Sequence, residues 1–169
     1  MGVNQRSQIV MSDDEVTQFI ERSRTATLAT IGASGLPHLT AMWYGYLDGA
    51  IYFETKAKSQ KSVNLRRDPR AVVMIEGGDT YDQLRGVSVE GDVTLIEDTT
   101  ADEYWAAAIS VFERYNGPYS EEMRPFVETM MNKRIIVRID PARVRSWDHR
   151  KLGLPEMPLA GTTAEFIGD

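Results

Sequence analysis

Between Thr25 and Asp98 the chain is a succession of short runs rich in β-branched and aromatic residues, each closed by glycine, proline or an acidic turn residue. Runs so short and so closely punctuated restrict a chain to a sheet of sequential antiparallel strands. Thr25–Ile31 is the first run. "GASGLP", from Gly32 to Pro37, is turn chemistry, and His38–Leu47 resumes the strand pattern. Asp48–Gly49 is a hairpin signal before the run Ile51–Thr55, so the spacing predicts a three-stranded meander. Ala71–Gly77 reads as a buried strand. Gly86–Asp98 alternates, which predicts Val87, Val89, Val93 and Leu95 inward and a bulge at Gly91. "KRIIVRIDPARVRSWD" predicts a strand, a proline turn and a final strand.

Helices fall between and around these strands. Ser12 is a candidate N-cap with Glu15 in capping-box position, and Val16, Phe19 and Ile20 at helical spacing form the packing face. Ser59–Arg67 predicts a short helix that cannot continue through Pro69. Thr99 or Thr100 would cap "ADEYWAAAISVFERY", "NGPYS" would break it, and Glu121–Asn132 would form another helix. About six antiparallel strands with three or four helices make a mainly β fold, a closed or nearly closed barrel with peripheral helices. The 169 residues, 42% hydrophobic, fit one domain over residues 1–150. Residues 151–169 have turn residues and no period, and read as a tail that is either disordered or draped over a partner.

Several function classes drop out. With no cysteine there is no disulfide, thiolate metal site or cysteine nucleophile, and a cytoplasmic location is expected. No apolar run is long enough for a membrane helix, and Met1–Val10 lacks the apolar stretch of a signal peptide. A net charge of -6 and a pI of about 5.0 argue against general nucleic-acid binding. The two histidines, His38 and His149, have no carboxylate at metal spacing, so no metal site is expected. No nucleophile elbow, P-loop or dinucleotide fingerprint is present.

Against that acidic background, Lys58, Lys61, Arg66, Arg67 and Arg70 crowd into one segment between two strands. A solvated charged helix would explain it. So would a phosphate cradle, since a helix N-terminus presents unpaired N–H groups and a positive dipole end, to which lysines and the hydroxyls of Ser59 and Ser62 add donors. Asn64 is either a further polar contact or a surface residue. Arg66, Arg67 and Arg70 read as structural, paired with carboxylates such as Asp68.

"LATIGASGLPHLTAMWYGYLDGAIYFET", "KSVNLRRDPRAVVMI" and "VSVEGDVTLIED" together resemble the pyridoxamine 5′-phosphate oxidase-like superfamily of split β-barrel flavoproteins. The order "LAT…G.P….W" then "K…NLRRDPR" is most similar to the branch that uses the deazaflavin coenzyme F420. The resemblance implies a six-stranded antiparallel split β-barrel and a homodimer with two cofactor sites at its interface. It implies that Leu28, Ala29 and Thr30 lie near the flavin-type ring and that Met42, Trp43 and Tyr44 line the ring pocket. It implies that Lys56, Lys58, Ser59 and Lys61, with Asn64, hold the phosphate, and that Trp147 comes near the partner's flavin. His38, Tyr44 and His149 are the candidate proton donors. The terminal R-L-A-P segment of the pyridoxamine phosphate oxidases is only partly echoed by "SWDHRKLGLPEM", so oxidation of pyridoxamine phosphate is not expected. "KSQKSVN" replaces their S-R-K run, and that favours F420 over FMN.

The resulting expectation is an F420-dependent reductase that transfers a hydride to a small conjugated or electron-poor substrate. An FMN-binding oxidase or reductase of the same fold is the first alternative. A flavin or haem carrier without turnover is the second. No membrane partner and no nucleic-acid partner are expected.

Overall fold

Local chemistry sets the first helices. The computed structural model describes residues 5–159, in two compact units. One comprises residues 5–23, 75–87 and 145–159 of that span; the other comprises residues 24–74 and 88–144. In the first unit a five-residue helix α1 (Gln5–Ile9), which the sequence pattern does not signal, precedes α2 (Asp13–Arg22). Ser12 caps α2 in a complete capping box: its hydroxyl accepts the Glu15 N–H, and the Glu15 carboxylate accepts the Ser12 N–H at 2.7 Å. Ile20 and Met11 are buried in this unit, and the Arg85 guanidinium lies over the Phe19 ring.

The second unit carries β1 (Ala26–Ile31), β2 (Pro37–Met42), β3 (Gly45–Leu47), β4 (Ala50–Lys56), α3 (Gln60–Arg67), α4 (Asp102–Asn116) and α5 (Arg124–Met131). Strands β5 (Arg70–Gly77), β6 (Arg85–Ile96) and β7 (Arg134–Asp148) contribute residues to both units. The sheet order is β2-β1-β5-β6-β7-β4-β3. The fold is mainly β, an antiparallel sheet of the split-barrel class with a few helices.

The Asp48–Gly49 hairpin forms as the sequence indicates. Both residues have positive φ, 49° and 81°, the backbone that a tight primed turn requires. The expected meander does not form, because His38–Leu47 breaks at Trp43–Tyr44 into β2 and β3, which take opposite ends of the sheet order. The sheet has seven strands where the sequence predicts about six. Tyr44 drives the break: its ring is fully buried, and its backbone N–H donates to the Tyr115 hydroxyl at 3.0 Å instead of to a strand.

Three more expectations change. Arg134–Asp148 is one continuous strand through Pro141, not a strand, a turn and a strand. Its pairing with β4 runs from Lys56↔Arg134 to Ile51↔Ile139, so the missing Pro141 N–H falls beyond that ladder. Neither Thr99 nor Thr100 caps α4; Ala101 takes the cap position, and Thr100 bonds Asp98 instead. In β6, Val87 and Val89 are buried as expected, whereas Val93 and Leu95 are only half-buried and Ile96 is the buried residue at its end. Gly91 is where β6 approaches β7: a Cβ there would sit 2.4 Å from the Asp140 carbonyl oxygen.

One face of β4 and β7 packs beneath α4 and α5, where Ala50, Tyr52, Tyr104, Phe112, Val127 and Ile136 form an apolar cluster. Burial of side chains this large contributes roughly 1.5–3 kcal/mol each and fixes the strand on which the basic turn is built.

Candidate cofactor site

Strand β4 ends at Lys56, two residues turn, and Ser59 caps α3. The serines build this turn. Ser59 Oγ accepts the Ser62 N–H and is 3.0 Å from Thr55 Oγ1 and 2.9 Å from Ser62 Oγ. Ser62 Oγ donates to the Lys56 carbonyl at 2.9 Å. With both hydroxyls engaged internally, the groups left to meet an anion are the lysines. Lys56 and Lys58 are exposed and Lys61 is half-buried; among the described residues none of the three is salt-bridged. Burial, with the Arg134 cation as a second cause, holds the Lys61 ammonium below its ordinary value. An anion would relieve both costs, so the chemistry of this donor set fits a phosphate.

The neighbouring arginines are structural, as their pairing suggests. Arg66 bonds Glu97 at 2.8 Å and the Ala57 carbonyl at 2.7 Å. Arg67 donates to the Ile31 carbonyl. Arg70 forks onto Asp68 with two bonds of 2.8 Å and holds that carboxyl below the usual range.

Asn64 is not a surface residue. Its side chain is fully buried, donating to Thr30 Oγ1 at 3.0 Å and accepting from Gln60 at 2.9 Å, so it ties α3 to β1. Thr30 and Leu28 also point inward, leaving Ala29 as the member of that trio facing outward. Ala29, Ile31, Pro37, Val72 and Gly91 line a cavity of about 440 Å³ that Arg70, Glu90 and Asp92 border. The outward positions of β2, β1 and β5 continue this apolar surface in two rows, Leu39–Ala29–Val72 and Ala41–Thr27–Met74.

Met42 is half-buried at the end of β2. Trp43 is 56% exposed and stacks on Tyr115 with centroids 4.2 Å apart and planes 4° from parallel. Tyr115 has no sequence signature of its own. It is locked by its hydroxyl, which donates to the Arg24 carbonyl at 2.7 Å and accepts from the Tyr44 N–H. The Tyr44 ring lies in the core under the Arg114 guanidinium, so it lines no open pocket. Burial pushes its phenol up to about 12, which makes it a weaker acid than an ordinary tyrosine. His38 stands opposite Thr30 on β2, and its Nδ1 is buried without a hydrogen-bond partner.

The other unit holds Trp147 and His149. Trp147 packs directly on Gly86, where a Cβ would lie 2.3 Å from the indole. His149 Nδ1 is 2.9 Å from the Tyr81 carbonyl, and its ring meets the Tyr81 ring edge-on. A nitrogen facing a carbonyl carries the proton, which leaves Nε2 as the nitrogen that can exchange one. Arg150 is forked onto Asp148 at 2.9 and 2.6 Å. Lys151, at the start of the expected tail, lies in a 3₁₀ turn (His149–Leu152) and bonds Glu15 at 2.6 Å and the Val10 carbonyl at 2.8 Å. Residues 160–169 of that tail lie outside the described residues. Among the described residues no group of acids and histidines gathers for a metal ion, and no helix is long and apolar enough to cross a membrane.

The family described as pyridoxamine 5′-phosphate oxidase matches residues 12–148. The chain belongs to that family, within a superfamily of flavin-binding oxidoreductases. A pyridoxine/pyridoxamine 5′-phosphate oxidase of Alkalilimnicola ehrlichii is 38% identical over 81 residues, 47% of this chain and 40% of that protein. The match thus spans less than half the length of this curated relative. Among solved structures, a conserved hypothetical protein of Mycobacterium tuberculosis is 58% identical, with a TM-score of 0.89 over 96% of this chain and 100% of that one. A structure described as an F420 reductase is 25% identical, with a TM-score of 0.59 over 80% of this chain and 98% of that one.

Proposed function

We propose that this chain is an F420-dependent reductase acting on a small conjugated or electron-poor substrate. The observation that carries the reading is the lysine set at the β4–α3 turn, Lys56, Lys58 and Lys61, none of them salt-bridged among the described residues, beside serines that are engaged internally. The likeness to a structure described as an F420 reductase supports F420 as the cofactor. The curated phosphate oxidases support a second reading, an FMN enzyme of the same family.

In this reading the three lysines hold the phosphate and acidic tail by charge. Asn64 and Thr30 act at one remove, fixing α3 against β1 so that the lysines keep their places. Ala29 and the Trp43–Tyr115 stack give the ring an apolar, preorganised surface and exclude water. A reduced deazaflavin supplies a hydride when bound. Of the candidate donors, Tyr44 is fully buried with its phenol pushed up to about 12, whereas His38 and His149 are only half-buried. The outward rows on β2, β1 and β5, with Leu39 at 64% exposure and Val72 and Met74 at 38%, form the apolar face through which two copies would pair. Fluorescence titration with F420 and FMN side by side tests the reading. Low-micromolar F420 binding with weak FMN binding is the expected result; tight FMN binding alone overturns it.

A further inference from the structure

Glu54 is an acid inside a strand buried on both faces. Only 8% of it is exposed, and its Oε1 has no hydrogen-bond partner. Alternation along β4 places Tyr52, Glu54 and Lys56 on one face, and their antiparallel partners Arg138, Ile136 and Arg134 stand opposite on that same face. Lys56 and Arg134 are therefore like charges directly across a ladder, an arrangement that destabilises a sheet unless an anion lies between them. Lys61, in the first turn of α3, is close enough to Arg134 for the two cations to disfavour each other.

Hydrogen bonds fix the backbone around this cluster. The Ala57 N–H donates to the Lys133 carbonyl at 3.0 Å, and Lys56 Nζ donates to the Asn132 carbonyl at 2.7 Å. Lys133 has a positive φ of 59°, and it turns the chain into β7 immediately before Arg134. Arg134 Nε donates to the Met130 carbonyl at 2.7 Å, and its cation acts on both Glu54 and Lys61. Glu54 is within electrostatic reach of Arg134 from β7 and Tyr104 from α4, and Tyr104 donates to the Arg134 carbonyl at 3.1 Å. Farther along the same face, Tyr52, Glu103, Arg138 and Asp140 satisfy one another, with bonds of 2.7 Å from Arg138 to each acid. Their acids are committed there.

We propose that Lys56, Lys61 and Arg134 form one site for a multiply charged anion, with buried Glu54 as the internal counterion whose proton sets its affinity. With Glu54 neutral the cluster presents three cations; with Glu54 ionised one of them is cancelled. The inference rests on the reading of the β4–α3 turn as the cofactor's anion grip. It adds Arg134 as a binding residue and makes the grip pH-dependent. Binding of the anion and of the proton to Glu54 favour each other, so anion affinity falls as pH rises.

Sulfate is the probe, because its charge is constant across the range. Titration of the full chain by calorimetry at about pH 6 and about pH 8.5 should give roughly tenfold tighter binding at the lower value, the scale of one charge moved near a divalent anion at a partly screened site. Glu54→Gln should bind at the wild-type low-pH affinity at both values. Arg134→Gln should lose sulfate binding, and Arg134→Lys should retain it, which separates lost charge from lost folding. A wild-type pH profile in Glu54→Gln, a wild-type affinity in Arg134→Gln, or no sulfate binding at either pH overturns the proposal. F420 titration of the same samples separates the two readings. Sulfate behaviour as expected without F420 binding refutes the cofactor reading alone, and F420 binding with pH-independent sulfate binding refutes this one alone.

Discussion

Asn64→Ala distinguishes a structural amide from a cofactor contact. The buried Asn64 side chain makes two hydrogen bonds, to Thr30 Oγ1 at 3.0 Å and from Gln60 at 2.9 Å. Gln60 is exposed and regains water when the amide is removed, so its loss is small. Thr30 is 1% exposed and does not. An orphaned buried hydroxyl costs about 1–3 kcal/mol, and the truncation leaves a small cavity, so a loss of about 2 kcal/mol is expected. For a chain of this size that lowers Tm by about 4–8 °C. Urea unfolding at fixed protein concentration should show a lower midpoint with an unchanged slope. F420 affinity should fall less than for Lys61→Ala. Thr30→Val in the same background should recover part of the loss, since the orphan is gone. An unchanged midpoint together with a tenfold loss of F420 affinity would refute this reasoning and place Asn64 against the cofactor.

Other outcomes follow from single contacts. Lys61→Ala should weaken F420 binding at least tenfold, the scale of a charge-assisted hydrogen bond of about 1.5–3 kcal/mol, while Arg70→Ala, whose guanidinium is committed to Asp68 at the surface, should change it by less than about twofold; equal effects in calorimetry would sink the lysine-centred grip. Burial raises Glu54 from 4.5 to about 7, so the folded state holds a proton that the unfolded chain releases. That contribution, up to about 3 kcal/mol at 1.36 kcal/mol per pH unit, is present below about pH 4.5 and lost as pH rises through 7. Glu54→Gln should therefore be more stable than wild type at pH 8 in urea unfolding, and a less stable variant would refute the assignment. Gly91→Ala forces a Cβ to 2.4 Å from the Asp140 carbonyl oxygen and should destabilise by about 1–3 kcal/mol or more; an unchanged thermal melt would show that β6 and β7 separate easily there.

What the sequence determined by itself is whatever rests on neighbours along the chain. Ser12 with Glu15, Ser59 before α3, and Asp48–Gly49 between two strand runs each specify their local geometry through backbone hydrogen bonds or φ preferences within four residues, and each is found as read. The alternating runs fixed a mainly antiparallel β fold for the same reason: inward and outward positions repeat every two residues whatever lies elsewhere. The lysines at the turn were also legible, because charge is visible in composition. Tertiary structure decided the rest. Trp43–Tyr44 breaks a strand because the Tyr44 ring is buried and Tyr115, far along the chain, takes its N–H. Pro141 sits inside a strand because the β4 ladder stops before it. Asn64 is buried and tied to Thr30, not at the surface, through a bond the sequence does not show. Glu54 and Arg134 were unremarked in the sequence, since nothing near either residue reveals that pairing across β4 and β7 puts them on one face. Strand register between distant segments is a property of packing, and it assigns the new member of the anion site.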